Sequence, residues 1–391
     1  MNVLFVVLSP IEGNTSGVIS NIGVINGLLE LGHTVEVLTT RAIGNNVVNK
    51  NIGFINDSVV ISYLESGELY KKVVSSRQDG NSKKKKMISM LRKLYYKLKI
   101  LDNMVPVAKS VNCKMVSRKQ YDLVISASDP KSSHIAVSNL IKTGLLVDKW
   151  IQYWGDPLAN DITRKSIWPK WIVKLTEKTL LAGADKICYV SPFTLKQQQK
   201  EFRKYSDNMF FQPLPYERER YMSTRNDGVV KLGYFGDYNS EVRNIVPLYD
   251  ACKSFPECFL TIAGGSDLNL EEVPNIKIYP RVPKETIEEM EEDSDILVCV
   301  MNKSGSQIPG KIYYAAATNK AVLVVLDGDN IGGLEEYLNG FNRFVLCHNN
   351  ADSIRNAVNK IKETDTQWQP CKRFSPKNIA SQILEEVQMS Q

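Results

Sequence analysis

Residues 3–38 read VLFVVLSPIEGNTSGVISNIGVINGLLELGHTVEVL, and this stretch decides the fold. Val3–Leu8 is a continuous apolar run, as expected for a parallel strand that is buried on both faces. A turn-rich loop follows, and apolar residues then recur at helical spacing over Val18–Leu29. Gly32 ends the predicted helix, and Val35–Leu38 predicts the second strand. The stretch therefore predicts one βαβ unit.

The same alternation of strands and helices continues along the chain and restarts after residue 228. Further strands are predicted at Val59–Leu64, Leu123–Ser126, Lys149–Tyr153, Lys186–Val190, Lys231–Phe235, Phe259–Ala263, Ile276–Tyr279, Ile296–Val300 and Ala321–Leu326. A polar connector at 213–228 has no obvious core face and separates the two series. We therefore predict an α/β protein with two doubly wound, Rossmann-like domains that face each other across a cleft.

The predicted boundaries follow from this connector and from the end of the chain. The N-terminal domain spans 1–215, and the C-terminal domain spans 216–375. Residues 376–391 form a terminal helix with Ile379, Ile383 and Leu384 at helical spacing. We expect this helix to cross back and pack on the N-terminal domain.

Composition indicates an ordinary globular protein. Hydrophobic residues make up 43% of the 391 residues and charged residues 24%, which argues against disorder. The N-terminal apolar run is too short for a signal peptide, and no other segment is long enough to cross a bilayer. The seven cysteines are scattered without a Cys-x-x-Cys pair, and the chain has only three histidines. We therefore expect a cytoplasmic protein with reduced thiols and no metal site.

Basic residues are concentrated between residues 71 and 119, where 15 Lys or Arg residues, including Lys83–Lys86, accompany two acids. The apolar residues among them fit one face of a helix: Met87, Met90, Leu91, Leu94, Tyr95, Leu98 and Leu101. Two interpretations remain open. The segment contacts an anionic membrane on the inner face of the plasma membrane, or it is a solvated helix that packs on its own domain. Nucleic acid is not an expected partner, because no recognised binding module surrounds these residues.

Glycine-containing loops follow the first strand of each predicted domain. In the first domain the loop is Gly13, Asn14, Thr15, Ser16 and Gly17, whose spacing matches neither a dinucleotide fingerprint nor a Walker loop. A tight turn and an acceptor-binding loop both remain open for it. In the second domain, Gly236, Asp237 and Tyr238 follow one strand, and Gly264 and Gly265 follow the next. Two such loops, with Arg243 after the first, suit a nucleotide diphosphate.

Residues 302–322 read NKSGSQIPGKIYYAAATNKAV and come directly after a predicted strand. Pro309 and Gly310 open a predicted helix, whose first-turn amides are expected to face an anion. Lys311 adds a cation at the same place.

This stretch resembles the donor-site helix of family 4 retaining glycosyltransferases of the GT-B fold, especially bacterial polysaccharide-type members with a Pro-x-Lys-Ile/Leu-Tyr/Phe-Glu-Tyr pattern. Four further segments resemble family motifs in the right order along most of the chain: Gly32–Val35, Asp129–His134, Trp154–Pro157 and Ile276–Val282. The resemblance implies transfer of a sugar from a nucleotide-diphosphate donor to an acceptor hydroxyl with retention, in bacterial cell-surface polysaccharide or glycan synthesis.

The resemblance also implies which residues act. Arg243 and Lys311 would neutralise the departing diphosphate without a metal or a bound cofactor. A UDP-sugar is the expected donor, and a glycan or a lipid-linked molecule is the expected acceptor. Asp156 and His134 are candidates for holding the sugar or the acceptor, although a buried carboxylate and a core histidine explain them equally simply. The remaining donor-site candidates are Gly236, Asp237, Tyr238, Gly264, Gly265, Arg281, Val282, Ser306, Gln307, Ile308, Gly310, Tyr313 and Tyr314.

The sequence departs from the family where two glutamates are often found. The ribose-binding position is occupied by Tyr314 or Tyr313, and the first acidic position by Ser306 or Gln307. Two alternatives therefore stay open beside the transferase: a sugar-nucleotide epimerase on the same fold, and a scaffold subunit that has lost the chemistry. A dehydrogenase fits poorly, because no loop has the dinucleotide spacing.

Overall fold

The structure is a computed structural model, and it describes residues 1–13, 15–42, 52–65, 97–164, 166–223, 229–364 and 366–388. The chain forms two compact units. Unit 1 consists of Met1–Pro213 with Pro376–Gln391, and unit 2 is Leu214–Ser375. Each unit has its own hydrophobic core.

Unit 1 is built on a parallel sheet of seven strands in the order β3-β2-β1-β4-β5-β6-β7. Its strands are β1 (Asn2–Val6), β2 (Thr34–Thr40), β3 (Val60–Leu64), β4 (Gln120–Ala127), β5 (Leu146–Trp154), β6 (Lys186–Tyr189) and β7 (Met209–Phe211). Its helices are α1 (Ser16–Glu30), α2 (Val105–Ser110), α3 (Ser132–Lys142), α4 (Lys170–Leu181), α5 (Pro192–Glu201) and, from the end of the chain, α11 (Pro376–Gln388). Short 3-10 turns lie at Cys113–Met115 and Arg203–Asn208.

Unit 2 repeats the design with six parallel strands in the order β10-β9-β8-β11-β12-β13. Its strands are β8 (Val230–Phe235), β9 (Cys258–Ala263), β10 (Ile276–Tyr279), β11 (Ile296–Val300), β12 (Ala321–Leu326) and β13 (Val345–His348). Its helices are α6 (Val246–Lys253), α7 (Lys284–Glu292), α8 (Lys311–Ala315), α9 (Ile331–Asn339) and α10 (Ala351–Glu363), with a 3-10 turn at Lys372–Phe374. The predicted doubly wound α/β architecture is confirmed.

Both sheets reverse their strand order beside their first strand. In unit 1 the reversal lies between β1 and β4, where Val6 pairs with Ser126. In unit 2 it lies between β8 and β11, where Leu232 pairs with Ile296. Loops that leave neighbouring strands in opposite directions open a crevice at the carboxyl ends of those strands, which is where α/β sheets bind ligands. We therefore expect ligand-binding sites at these two points.

The strand pattern in the sequence located eleven of the thirteen strands, with ends that shift by up to three residues. The two strands without a sequence prediction are β7 and β13, which are three and four residues long and lie at sheet edges. Short edge strands carry too few alternating residues to give a periodic signal.

The described part of the basic segment forms no long helix. Lys97 and Leu98 are helical, and the chain then bends before α2 begins at Val105. Leu101 packs against the core of unit 1, whereas Leu98 is 49% exposed. The rest of the predicted apolar stripe, together with Lys83–Lys86, lies outside the described residues. No helix among the described residues is long and apolar enough to span a membrane.

The terminal helix α11 packs on α1 within unit 1, and a glycine permits the close approach. A Cβ atom at Gly27 would lie 2.0 Å from the carbonyl oxygen of Pro376 and 2.7 Å from the Cβ atom of Ala380. The backbones of the two helices therefore meet directly at this position, and any side chain would force them apart.

Gly27→Ala is expected to destabilise unit 1 by about 1–3 kcal/mol, because the added methyl overlaps backbone atoms that cannot rotate away. Gly17→Ala is the matched control, since a Cβ atom there meets nothing within 4 Å. Urea unfolding monitored by circular dichroism compares the two variants. Equal stability of both variants would contradict the packing described here.

Candidate functional site

The reversal point of unit 2 brings two glycine loops into direct contact. A Cβ atom at Gly264 would lie 2.0 Å from the carbonyl oxygen of Gly236, so the loops after β8 and β9 touch backbone to backbone. A Cβ atom at Gly236 would lie 2.3 Å from Cε of Lys311. Glycine at 236 therefore lets the lysine side chain lie flat against the end of β8.

Lys311, the first residue of α8, is half-buried beside this backbone. Its Nζ atom makes no hydrogen bond or ion pair to any described residue. Loss of water around the amine lowers its pKa, and the positive charge of Arg243 lowers it further, while Glu291, Cys299 and Asp237 act in the opposite direction. The site thus holds two nearby cations, and burial is the largest cause of the lowered pKa of Lys311.

Arg243 is held by groups at both sides of the reversal point. Its Nη1 donates to the carbonyl oxygen of Asp237 at 3.0 Å, and its Nη2 donates to Oδ1 of Asn302 at 2.9 Å. Asn302 in turn donates to the carbonyl oxygen of Gln307 at 3.1 Å. The Nε atom of Arg243 is buried without a partner among the described residues. The two hydrogen bonds of the terminal nitrogens therefore fix the guanidinium of Arg243 in place.

Asn302 was not among the residues selected from the sequence. It lies two residues beyond β11, and only its position at the strand-order reversal distinguishes it from an ordinary loop asparagine. The strand order in turn becomes visible only in the folded sheet.

Asp237 is occupied by partners within unit 2. Its carboxylate accepts hydrogen bonds from the Gly265 amide at 2.8 Å, from Nε of Arg281 at 2.8 Å and from Nη2 of Arg281. Burial would raise the pKa of Asp237, but these hydrogen bonds outweigh it and hold the pKa below its usual value. Arg281, a donor-site candidate from the sequence, forms an ion pair with Asp237. Its neighbour Val282 is half-buried, and Tyr238 is buried.

The two candidate tyrosines differ. Tyr313 is fully buried, its hydroxyl lies 2.9 Å from the hydroxyl of Tyr337, and its ring packs edge-on against Phe374. The structure therefore assigns Tyr313 to the core, away from the ribose position expected from the sequence. Tyr314 is half-exposed. Among the other candidates of this loop, Ile308 is buried, and the half-buried residues are Ser306, Gln307 and Gly310.

The helix that begins at Lys311 is shorter than expected. It spans five residues, Lys311–Ala315, so its amides add up to only a small dipole. The side chains of Lys311 and Arg243 add positive charge at this point.

The corresponding point of unit 1 is connected by short polar side chains. The Leu8 amide donates to Oγ of Ser133 at 3.0 Å, and the Gly155 amide donates to Oγ of Ser128 at 3.2 Å. These bonds join the loops that follow β1, β4 and β5, so the three loops form one surface. Among the predicted acceptor residues, Thr15 caps α1, accepting from the Val18 amide at 3.3 Å.

The rest of the first glycine loop is described in part. Ser16 and Gly17 are exposed, Gly13 closes a turn on Pro10, and Asn14 lies outside the described residues. The loop is anchored by Glu12, which accepts a hydrogen bond from the hydroxyl of Tyr63. The polar turn is therefore held against the end of β3.

Lys131 is a buried cation at this surface that sequence reasoning did not select. It is 5% exposed, and its Nζ pairs with Asp129. Burial would lower the pKa of Lys131, but the charges of Asp129 and Asp156 outweigh it and raise the pKa. Asp156 is half-buried near this amine. The two carboxylates that follow β4 and β5 thus share one lysine.

Glu177 on α4 fixes the loop that carries Asp156. It is fully buried, and its two carboxylate oxygens accept hydrogen bonds from the amides of Leu158 at 2.9 Å and Ala159 at 2.8 Å. Burial raises the pKa of Glu177, whereas the two amides and Lys131 limit the rise.

His134 lies inside the core of unit 1. Its Nδ1 is 2.8 Å from Oγ of Ser126, which also accepts from Nε1 of Trp150, and its ring stacks on Trp154 with centroids 4.5 Å apart. Burial and the neighbouring Lys131 lower the pKa of His134 to about 3. This environment favours the core histidine over the acceptor-holding role.

The pKa of His134 predicts that its ring stays neutral and its NMR signals stay fixed from about pH 8 to about pH 4.5, where an ordinary histidine titrates. His134→Gln assigns the signal among the three histidines of the chain. A titration midpoint near the ordinary histidine value would contradict the buried placement.

Among the residues that the structure describes, no three His, Cys, Asp or Glu side chains form a group that could hold a metal ion. All seven cysteines are free thiols.

Comparison with solved structures shows what this fold is similar to. HepE from Anabaena in complex with UDP is 12% identical over the whole of both chains, with a TM-score of 0.57. A sucrose-phosphate synthase from Thermosynechococcus elongatus is 12% identical over 100% of this chain and 98% of that one, with a TM-score of 0.54. A UDP-N-acetylglucosamine 2-epimerase is 11% identical over 100% and 96%, with a TM-score of 0.51.

At these identities the likeness shows the fold, which this chain shares with those proteins over its full length. HepE has also been solved with UDP-glucose. No protein-family model matches the sequence, and no curated protein matches it.

Proposed function

We propose that the protein is a glycosyltransferase that moves a sugar from a UDP-sugar to an acceptor hydroxyl. The observation that carries this proposal is the pair Arg243 and Lys311 beside Gly236, at the carboxyl ends of β8 and β11. Lys311 has no ion-pair partner among the described residues, and a diphosphate supplies the charge that this place lacks. The solved structures with UDP and UDP-glucose on the same fold support that choice of ligand.

In the proposed reaction the bond between the sugar's anomeric carbon and the diphosphate oxygen breaks while a bond to the acceptor oxygen forms. The acceptor proton passes to a phosphate oxygen, and the new bond forms on the face that the diphosphate leaves, which retains the configuration. Arg243 and Lys311 stabilise the negative charge that grows on the departing UDP. The retaining outcome and family 4 membership rest on the sequence resemblance and belong to the proposal.

The proposed acceptor is a glycan or a lipid-linked molecule of bacterial cell-surface polysaccharide synthesis. Asp156 and Lys131 are the charged groups at the carboxyl edge of unit 1 that suit sugar hydroxyls, and the loop Gly13–Gly17 lies at the same edge. We further propose that the reaction takes place in the cytoplasm, at the inner face of the plasma membrane, where UDP-sugars are made and the free thiols stay reduced.

Arg243→Gln and Lys311→Met are each expected to weaken UDP binding roughly tenfold or more, because each removes one charge-assisted contact to the diphosphate. Lys277→Met is the control, since Lys277 is an exposed lysine of the same unit on β10. Isothermal titration calorimetry with UDP measures all four proteins. Unchanged affinity in both site variants, or no heat with folded wild-type protein, would overturn the donor-site assignment.

The lowered pKa of Lys311 makes UDP affinity depend on pH. The amine is charged below its pKa and neutral above it, so affinity falls as the pH rises through that lowered pKa. Lys311→Arg keeps its charge at high pH and should hold its affinity there. Titrations from about pH 7 to about pH 10 compare the two proteins. A parallel decline in both would remove Lys311 from the binding step.

A second candidate is a sugar-nucleotide epimerase, because an epimerase shares the fold at a TM-score of 0.51. An epimerase converts the nucleotide sugar without any acceptor, whereas a transferase consumes it only with an acceptor present. Mass spectrometry of a UDP-sugar panel with and without added acceptor separates the two. UDP binding without turnover under both conditions supports the scaffold alternative, which the tyrosine at 314 motivates.

A further inference from the structure

An exposed apolar surface lies on unit 1 at the beginning of α4. Trp171 is 63% exposed and Leu175 is 54% exposed on the outer face of α4, and Ile167 and Trp168, just before the helix, are 58% and 40% exposed. We call these four residues the α4 patch. Single exposed apolar residues are common on proteins, but four within nine consecutive residues, two of them tryptophans, form a contiguous surface that needs a partner.

The patch continues onto the neighbouring chain segment. Nε1 of Trp168 donates to the carbonyl oxygen of Leu98 at 2.6 Å, and Leu98 is itself 49% exposed. The Ile167 amide donates to the carbonyl oxygen of Lys97 at 3.2 Å. These bonds hold the beginning of the patch in a fixed geometry.

Positive charge surrounds the apolar residues. Lys170, Lys174 and Lys178 repeat at four-residue spacing along the same face of α4, and Arg203 and Lys204 stand exposed across a groove of about 360 Å³.

The acids nearby are already engaged. Glu177, the one acid of α4, points inward to the amides of Leu158 and Ala159. Glu201 is paired with Lys174 at 3.2 Å. The surface therefore carries an excess of positive charge around a hydrophobic centre.

We propose that the α4 patch docks on an anionic lipid bilayer. Tryptophan prefers the boundary between headgroups and acyl chains, and leucine and isoleucine insert just below it. Lysines at the flanks reach the anionic headgroups. The same charge disfavours a second copy of this chain as the partner, since two basic patches repel each other. Nucleic acid would gain little from Ile167 and Leu175, which cannot stack on bases.

The position of the patch connects it with the proposed function. α4 carries the patch on its outer face and holds the Asp156 loop through Glu177 on its inner face. If the proposed function is right, docking brings the acceptor edge of unit 1 to the membrane, where a lipid-linked acceptor is found. Membrane binding itself does not depend on that function.

Vesicle flotation of the full-length protein tests the proposal. Wild type is expected to float with vesicles of phosphatidylcholine and phosphatidylglycerol and to stay in solution with phosphatidylcholine alone. Trp171→Ser combined with Leu175→Ser should lower the bound fraction at least tenfold. Leu146→Ser is the matched control, because Leu146 is 60% exposed on β5 and lies outside the patch. UDP titration of every variant checks that the protein is folded and keeps the failure of docking separate from failure of nucleotide binding.

Tryptophan fluorescence measures membrane docking independently of flotation. Insertion of Trp171 should shift the wild-type emission to shorter wavelength on addition of the anionic vesicles, and Trp171→Phe should lose most of that shift. Three results would overturn the proposal: no binding to anionic vesicles, binding that the double serine variant retains but Lys83–Lys86→Gln abolishes, or self-association of the wild type that the double serine variant removes.

Discussion

Unit 2 holds two cations, Lys311 and Arg243, beside the backbone at the end of β8. Lys311 loses water to the surrounding protein and feels the charge of Arg243, and both effects lower its pKa. The nearby carboxylate of Asp237 is shared with Arg281 and the Gly265 amide. Such an arrangement costs free energy in the empty protein, and an anion that enters removes the cost. A buried cation at this place therefore favours the binding of an anion.

Much of the fold followed from the sequence, since buried parallel strands appear as continuous apolar runs separated by turn residues. The glycine loops were located for the same reason, because a strand that is placed correctly also places the loop at its end. The sequence did not predict which side chains contact each other. The pairing of Arg281 with Asp237 depends on which strand ends are neighbours, and the burial of Tyr313 depends on the phase of a five-residue helix.

At the carboxyl edge of unit 1, side-chain hydrogen bonds connect loops that have no regular secondary structure. Ser128 and Ser133 join the loops through backbone amides, Glu177 fixes the loop after β5, and Lys131 is shared between two carboxylates. Each of these side chains is polar, buried or half-buried, and satisfied by a named partner, which is the condition for a buried polar network to be stable. Composition and periodicity carry no signal for such networks. The sequence therefore pointed to His134, which lies in the core, and not to Lys131, which pairs with Asp129.

We propose that a diphosphate binds beside Lys311 and Arg243. NMR of labelled lysine side chains measures the pKa of the Lys311 ε-amine, first in the free protein and then with saturating UDP. We expect a pKa below the usual lysine value in the free protein and a clear rise when UDP binds. A pKa that is already normal in the free protein, or that does not change with UDP, would contradict this proposal.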